Sequence, residues 1–415
     1  MKLKQLTIMA MLASAVALNA TENPFFNYKK WKTPHGTYPF NEICNAHYMP
    51  AFEEAMKQGL AEVDAIANNP AAPTFANTIE AYEKSGEMLG IVAGCFYNLA
   101  SAETNDSIQA LQIELSPKMS EYSATIRLNE KLFQRIKAVY DQRGKLKLTK
   151  EQQKLLEDTY DSFANNGANL SPEDKQKYRE LSAKLSMLTM TFGQNVLKAT
   201  NAWSMLITRE EDLAGLSDDT KAMLKANAEA KGKQGWLLNL KATTVTPVLK
   251  DCDNRDIRRE LYMAYNTRCI GGEFDNTQII IDIANTRLAL AQLFEKDCYA
   301  DKSLYKNMAE NKENVYRLLD QLRDNYMPAA REEVKELQEF ANQQGFYTTL
   351  QPWDFSYYSK KLKNDKYAIS DDIVRPYFEL EAVKQGVFGL AKRLYGITFK
   401  ENKNIQIYNP EVTAY

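Results

Sequence analysis

Histidine is scarce in this chain: His35 and His47 are the only two among 415 residues, and both lie near the start. No H-E-x-x-H stretch occurs, so the paired histidines that grip a metal from one helix face are missing from the sequence. G-x-S-x-G, G-x-G-x-x-G and P-loop stretches are missing too, which excludes the usual nucleophile elbow and the common nucleotide-binding turns. The cysteines Cys44, Cys95, Cys252, Cys269 and Cys298 are odd in number and contain no C-x-x-C pair. In an exported protein, that rules out a complete disulfide framework, does not suggest a zinc knuckle, leaves one or two bridges open, and makes mostly buried thiols the expectation. Charge of one sign is lacking as well. Against 54 acidic residues stand 52 basic ones, a net of −2, which gives no electrostatic footprint for nucleic acid or an acidic membrane surface.

What is present begins at the N-terminus. "MKLK" carries two positive charges, "LTIMAMLASAVAL" is apolar from Leu6 to Leu18, and small residues follow at Asn19 and Ala20. This order is that of a secretory signal peptide, with cleavage expected after Ala20 or Ala17. The apolar stretch is shorter than the roughly 20 residues a membrane span requires. No later run is long enough either, "GIVAGCFYNLASA" being broken at Asn98. Export without stable membrane insertion is the expectation.

The remaining 44% hydrophobic, 26% charged composition is that of a globular protein, and its periodicity is helical. Phe52, Met56, Leu60 and Val63 step by four, four and three along one helix face, and the pattern stops in "NNPAAP". Asn77 and Glu80 have capping-box spacing for the next helix, which ends near Gly86. "SPED" starts another at Ser171 and Pro172, followed by Tyr178, Leu181, Leu185, Leu188 and Phe192. Comparable patterns cover 106–115, 129–142, 149–166, 255–268, 276–294, 311–322 and 328–343. "AWSMLIT" at 202–208 and "GWLLNLKATTVTP" at 235–247 read instead as short strands, with "KANAEAKGKQG" as an exposed connection between them. The fold class is therefore mainly α: a large helical body with a small β insertion near 202–247.

Chemistry is harder to find. Paired carboxylates could be drawn from the many acids, yet helical surfaces carry most such residues simply as solvated faces. His47, just ahead of a core-type helix, fits a structural or capping role. Composition and motifs alone leave an exported helical protein with no visible catalytic centre.

Longer stretches say more. "NPAAPTFANTIEAYEKSG" at 69–86, "FANNGANLSPEDKQKYRELSAKLSMLTMTFGQNVL" at 163–197 and "FDNTQIIIDIANTRLALAQLF" at 274–294 resemble the thimet oligopeptidase family of zinc metallopeptidases. "PWDFSYY" and "RPYFELEAVKQGVFGLAKRLYGITF" near the end continue the resemblance, which covers nearly the whole chain after the leader. The export signal and "ANNPAAPTFANTIEA" look most like the bacterial peptidyl-dipeptidase branch, which implies a periplasmic location. Tyr122 stands where relatives often have His, and Glu295 where Gly after the Leu-rich helix is common.

The resemblance implies a helical body forming part of a deep channel that admits short unfolded peptides, with zinc at its floor. In the family, the zinc ligands follow the segment matching residues 350–399, so none can be carried onto this sequence. The expected organisation is a signal peptide at 1–20, an N-terminal helical domain at 21–200, a β-containing insertion at 201–250, and a helical segment at 251–415. That last segment leads toward a C-terminal catalytic domain, which the chain would need as a partner. No zinc is expected on this chain itself, and by itself it is expected to be inactive. Trp353, Asp354, Tyr357 and Tyr358 are candidates for peptide contact, with packing at a hinge as the competing role. A non-catalytic peptide-binding relative and a helical interaction scaffold stay open. Ile405, Ile407 and Tyr408 alternate like a strand in want of partners, which would be an aggregation liability.

Overall fold

The computed structural model describes residues 23–368 and 371–415, so the leader expected at 1–20 lies outside the described residues. The chain is mainly helical and forms two compact units. The first comprises Met1–Met190, Thr286–Cys298 and Phe399–Tyr415; the second comprises Thr191–Asn285 and Tyr299–Thr398. Among the described residues no helix is long and apolar enough to cross a membrane.

In the first unit, α1 (Asn45–Ala67) starts where the Cys44 backbone N–H donates to His47 Nδ1 at 3.2 Å, the capping role read for this histidine. Its predicted face is the buried one: Phe52, Met56 and Val63 are in the core. Against it packs α2 (Glu87–Ala102), with Phe96 edge-on to Tyr48 and Phe52 at ring distances of 5.0 and 5.5 Å. The cap of the intervening turn is Thr74 with Asn77, not Asn77 with Glu80. The Asn77 N–H donates to Thr74 Oγ1 at 3.1 Å and the Thr74 N–H donates to Asn77 Oδ1 at 2.8 Å, so both backbone donors are satisfied one turn earlier than expected.

Helices α3 (Asp106–Arg127), α4 (Glu130–Asp141) and α5 (Lys150–Phe163) follow. Leu132, Ile136, Leu156 and Phe163 join Val63 and Ile79 in a second buried cluster. Buried Arg135 donates to the carbonyls of Asn69 and Ala71 at 2.8 and 3.0 Å, tying the "NNPAAP" turn to α4. Helix α6 (Pro172–Ala202) opens as expected, with the Asp174 N–H on Ser171 Oγ at 3.1 Å. The tail forms no strand. Tyr408 packs on Phe40 at 5.5 Å and Gln406 accepts from the Asn41 N–H at 2.8 Å, so the expected free edge is replaced by side-chain contacts.

In the second unit, β1 (Ser204–Ile207) and β2 (Trp236–Asn239) pair antiparallel with Ser204 opposite Asn239 and Ile207 opposite Trp236. The segment between them is not simply an exposed connection: α7 (Asp218–Glu229), capped by Ser217, buries Leu224 and Ala228. The second strand is also shorter than expected. Asn239 Oδ1 accepts the Lys241 N–H at 3.0 Å and turns the chain into α8 (Ala242–Asp251), which buries Thr244, Val245 and Val248 despite their β-branching.

After α9 (Arg255–Asn266), α10 (Thr277–Gln292) runs from this unit into the first. Beyond it Glu295 has φ +54°, and the Lys296 N–H reaches back to the Ala291 carbonyl at 3.1 Å. That is a left-handed helix stop, the reason glycine suits this position. The helices expected at 311–322 and 328–343 are one, α11 (Lys312–Gln343), which continues through Pro328 on an exposed stretch where water can solvate the freed carbonyl. Helices α12 (Pro352–Tyr367) and α13 (Leu380–Tyr395) complete the unit. Of the five cysteines only Cys95 and Cys252 are buried, fewer than expected.

Candidate functional site

The four residues singled out near "PWDFSYY" all lie on α12. Pro352 takes the first helical position, where its missing N–H costs nothing, and Asp354 Oδ2 accepts the Gln351 N–H at 3.0 Å. The cap thereby fixes a carboxylate that is fully buried. On α9, whose first turn is capped by Asn254, Arg255 and Arg258 are one turn apart and both reach it. Arg255 donates from Nε to Oδ1 at 3.0 Å and from Nη2 to Oδ2 at 2.8 Å; Arg258 donates from Nη2 to Oδ1 at 3.2 Å.

Burial alone would push the Asp354 carboxyl up. The bonds from Arg255, the Gln351 N–H and Arg258 outweigh it and hold the group below the usual carboxylate range. Arg258 is itself buried, and its other donors go to the carbonyls of Cys252 at 2.7 Å, Asp253 at 3.1 Å and Trp353 at 3.3 Å. Its guanidinium also lies 4.0 Å from the centre of the Tyr357 ring. The Tyr357 hydroxyl donates to Asp253 Oδ1 at 2.6 Å, and burial followed by that carboxylate pushes the phenol well above its ordinary range. Tyr358 packs against Phe346 with its ring tilted, at a ring distance of 5.4 Å. Trp353 meets Tyr262 edge-on at 6.2 Å, flanked by the Arg255 and Arg259 guanidinium groups.

The structure thus brings all four together. It places Asp354, Tyr357 and Tyr358 inside a joint between α9 and α12, with Trp353 half-buried at its edge. The two arginines were not singled out from sequence, although their i, i+3 spacing in "NRDIRRE" is the signal for a shared face.

Sequence reading also missed a cavity in the first unit. Ser116, Ser120 and Ser123 on α3 face Ser182, Ser186 and Thr189 on α6 across a space of about 570 Å³. Ser116 and Ser186 share a hydrogen bond at 2.8 Å. The 4, 3 spacing repeated in both helices marks the two faces. The lining includes Arg127 but no His, Asp or Glu, so none of these hydroxyls has a general base beside it; the cavity can hydrogen-bond a ligand, not activate a nucleophile.

A metal finds no seat in what is described. His35 is exposed on a turn, and His47 commits Nδ1 to the Cys44 N–H. Among the described residues no group of three or more His, Cys, Asp or Glu is placed to hold an ion. These residues do not fit a catalytic zinc, which needs about three ligands and a base.

Comparison with known proteins supplies the context. Residues 248–415, which include the α9–α12 joint, match the family model "Peptidase family M3". Oligopeptidase A of Escherichia coli is 34% identical over 388 residues, covering 92% of this chain and 57% of that protein. Dipeptidyl carboxypeptidase of the same organism is 34% identical over 404 residues, covering 95% and 58%. A chloroplast and mitochondrial oligopeptidase A of Arabidopsis thaliana is 28% identical over 387 residues, covering 91% and 49%. The chain spans about half the length of the curated relatives it matches. Identity does not separate the oligopeptidase A and dipeptidyl carboxypeptidase branches. The joint's segment and the alignments along more than nine tenths of the sequence lead to one placement: residues 248–415 match peptidase family M3, and the chain is similar to oligopeptidase A and dipeptidyl carboxypeptidase along most of its length.

Proposed function

We propose that this chain is the N-terminal portion of an exported zinc metallopeptidase that releases dipeptides from the C-termini of short unfolded peptides. The observation that carries the reading is the pair of alignments to oligopeptidase A and dipeptidyl carboxypeptidase, each along more than nine tenths of this chain and under three fifths of the relative. The charged, apolar and small-residue order of residues 1–20 supports export to a periplasm.

Family M3 peptidases are zinc-dependent in general. In such enzymes the metal supplies a bound water of lowered pKa. The described residues offer no seat for it, so hydrolysis is assigned to the part of the relatives without a counterpart here. What this chain contributes is a wall. The Arg255–Asp354–Arg258 joint sets the angle between α9 and α12, and Asp354, Tyr357 and Tyr358 act as positioning residues there. Trp353, half-buried at the margin, is the member with surface left for a peptide.

The test is dipeptide release from short peptides together with zinc per chain, for the purified 415-residue protein and for the same protein fused to the remaining portion of the E. coli dipeptidyl carboxypeptidase. The reading expects neither zinc nor product from the first and both from the second. Stoichiometric zinc with turnover by the unfused chain, or an inert fusion that folds and binds zinc, would sink it.

A further inference from the structure

Helix α13 is well formed yet has no buried residue. Leu380, Val383, Val387, Leu390 and Leu394 follow one another by three, four, three and four residues, the spacing of a coiled-coil seam. All five are exposed, from 40% at Val383 to 75% at Leu380. A 16-residue helix is marginal in water without packing, and an apolar stripe of this length marks an interface. Gly386 and Gly389 sharpen the point. Each weakens the helix relative to alanine, and a methyl group added at either would meet nothing within 4 Å, so no neighbour in this chain explains them. Small residues on a helix let another backbone come close. Arg393 flanks the seam and favours an acidic edge on whatever covers it, while Lys384 on the other flank is paired with Glu381 at 2.5 Å. Leu319, Leu322 and Tyr326 form a second exposed stripe on α11 in the same unit.

Both helices fall inside the segment that matches family M3, and the E. coli relatives have more than two fifths of their length outside the match. We propose that the α13 seam, with the α11 stripe, is the docking surface for an amphipathic, acid-edged helix in the portion of an M3 peptidase that has no counterpart in this chain. The inference rests on the family reading and deepens it: unit two is half of an interface whose other half is the catalytic portion.

The test co-expresses the 415-residue chain with the unmatched portion of E. coli oligopeptidase A. A one-to-one complex is expected by sedimentation, with less binding of an apolar dye than the free chain shows. The double substitution Val387→Glu/Leu390→Glu should weaken the complex at least about tenfold, whereas Lys150→Glu, on exposed surface of the first unit, should leave it unchanged. A soluble portion that does not bind, or binds the double variant equally well, overturns the proposal; so does a homodimer of the chain that the double variant dissolves. If the separate portion is insoluble, it is fused after Tyr415. Amide exchange across Leu380–Tyr395 must then slow at least about tenfold, and unchanged exchange overturns the proposal. Peptide cleavage is scored separately. A covered seam without cleavage contradicts the peptidase reading and leaves this one standing; cleavage with an exposed seam does the reverse.

Discussion

The two units are built from similar amphipathic helices but use them differently. In the first, α1, α2, α4 and α5 each turn an apolar face onto a neighbour, and Phe52, Phe96, Ile136 and Leu156 are fully buried. In the second, the sheet, α7, α8 and α9 enclose one core and α12 with the end of α11 another, while α13 and most of α11 leave Leu380, Val387, Leu322 and Tyr326 in water. The difference teaches that amphipathic spacing reports a helix's need for a partner, not whether the partner is at hand. One unit satisfies that need internally. The other satisfies it around the sheet and at the Asp354 joint, but not along α13 and most of α11.

The largest test of this contrast is Asp354→Ala, which strands the buried Arg258 guanidinium without its counter-charge. Removing one member of such a pair costs about 3–5 kcal/mol. Three of the four tryptophans, Trp203, Trp236 and Trp353, are in the second unit, so urea unfolding followed by tryptophan emission should register the loss. Helical signal from the first unit should be unchanged. If the whole molecule unfolded together, the two units would not be independent. Next in size is Ile136→Ala in the first unit, expected to cost about 2–5 kcal/mol by the cavity it opens. Its counterpart, Val387→Ala on α13, should cost under about 0.5 kcal/mol in the chain alone, because there is no packing to lose. Equal losses at the two positions would contradict an exposed seam.

Acid gives a third comparison. Folding lowers the Asp354 pKa, so its stabilisation is complete above the unfolded value near 3.9 and is lost as pH falls through the lower folded value. The second unit should therefore weaken below about pH 4, and Asp354→Asn should remove that dependence while lowering stability at neutral pH. A modest gain is expected at Glu295, where φ +54° suits glycine. Glu295→Gly should relieve about 1 kcal/mol of strain and so raise the melting temperature modestly. A fall would mean that side-chain contacts at Glu295 outweigh its backbone.

Much of this was legible in the sequence. Four-and-three spacing of Phe52, Met56 and Val63 located a helix and its buried face, and Ser171–Pro172 located a start, because both signals are local. What failed was decided by tertiary context. "ATTVTP" looked like strand from its β-branched residues, but Asn239 ends the strand and burial of Val245 and Val248 rewards a helix. "KANAE" looked solvated because alanine and lysine say little until Leu224 and Ala228 find a core. At the candidate site, Trp353, Asp354, Tyr357 and Tyr358 stood out by type and clustering. Their partners Arg255, Arg258 and Asp253 lie about a hundred positions away in sequence, beyond the reach of local pattern.

The contrast between the units is tested most directly by hydrogen exchange on the 415-residue chain alone, comparing amides of Glu130–Asp141 with those of Leu380–Tyr395. The account predicts strong protection in the first, near the limit set by global unfolding, and exchange at least about a hundredfold faster in the second. Equal protection in a monomeric chain would mean that α13 already has the packing it needs, and the incomplete interface would be wrong.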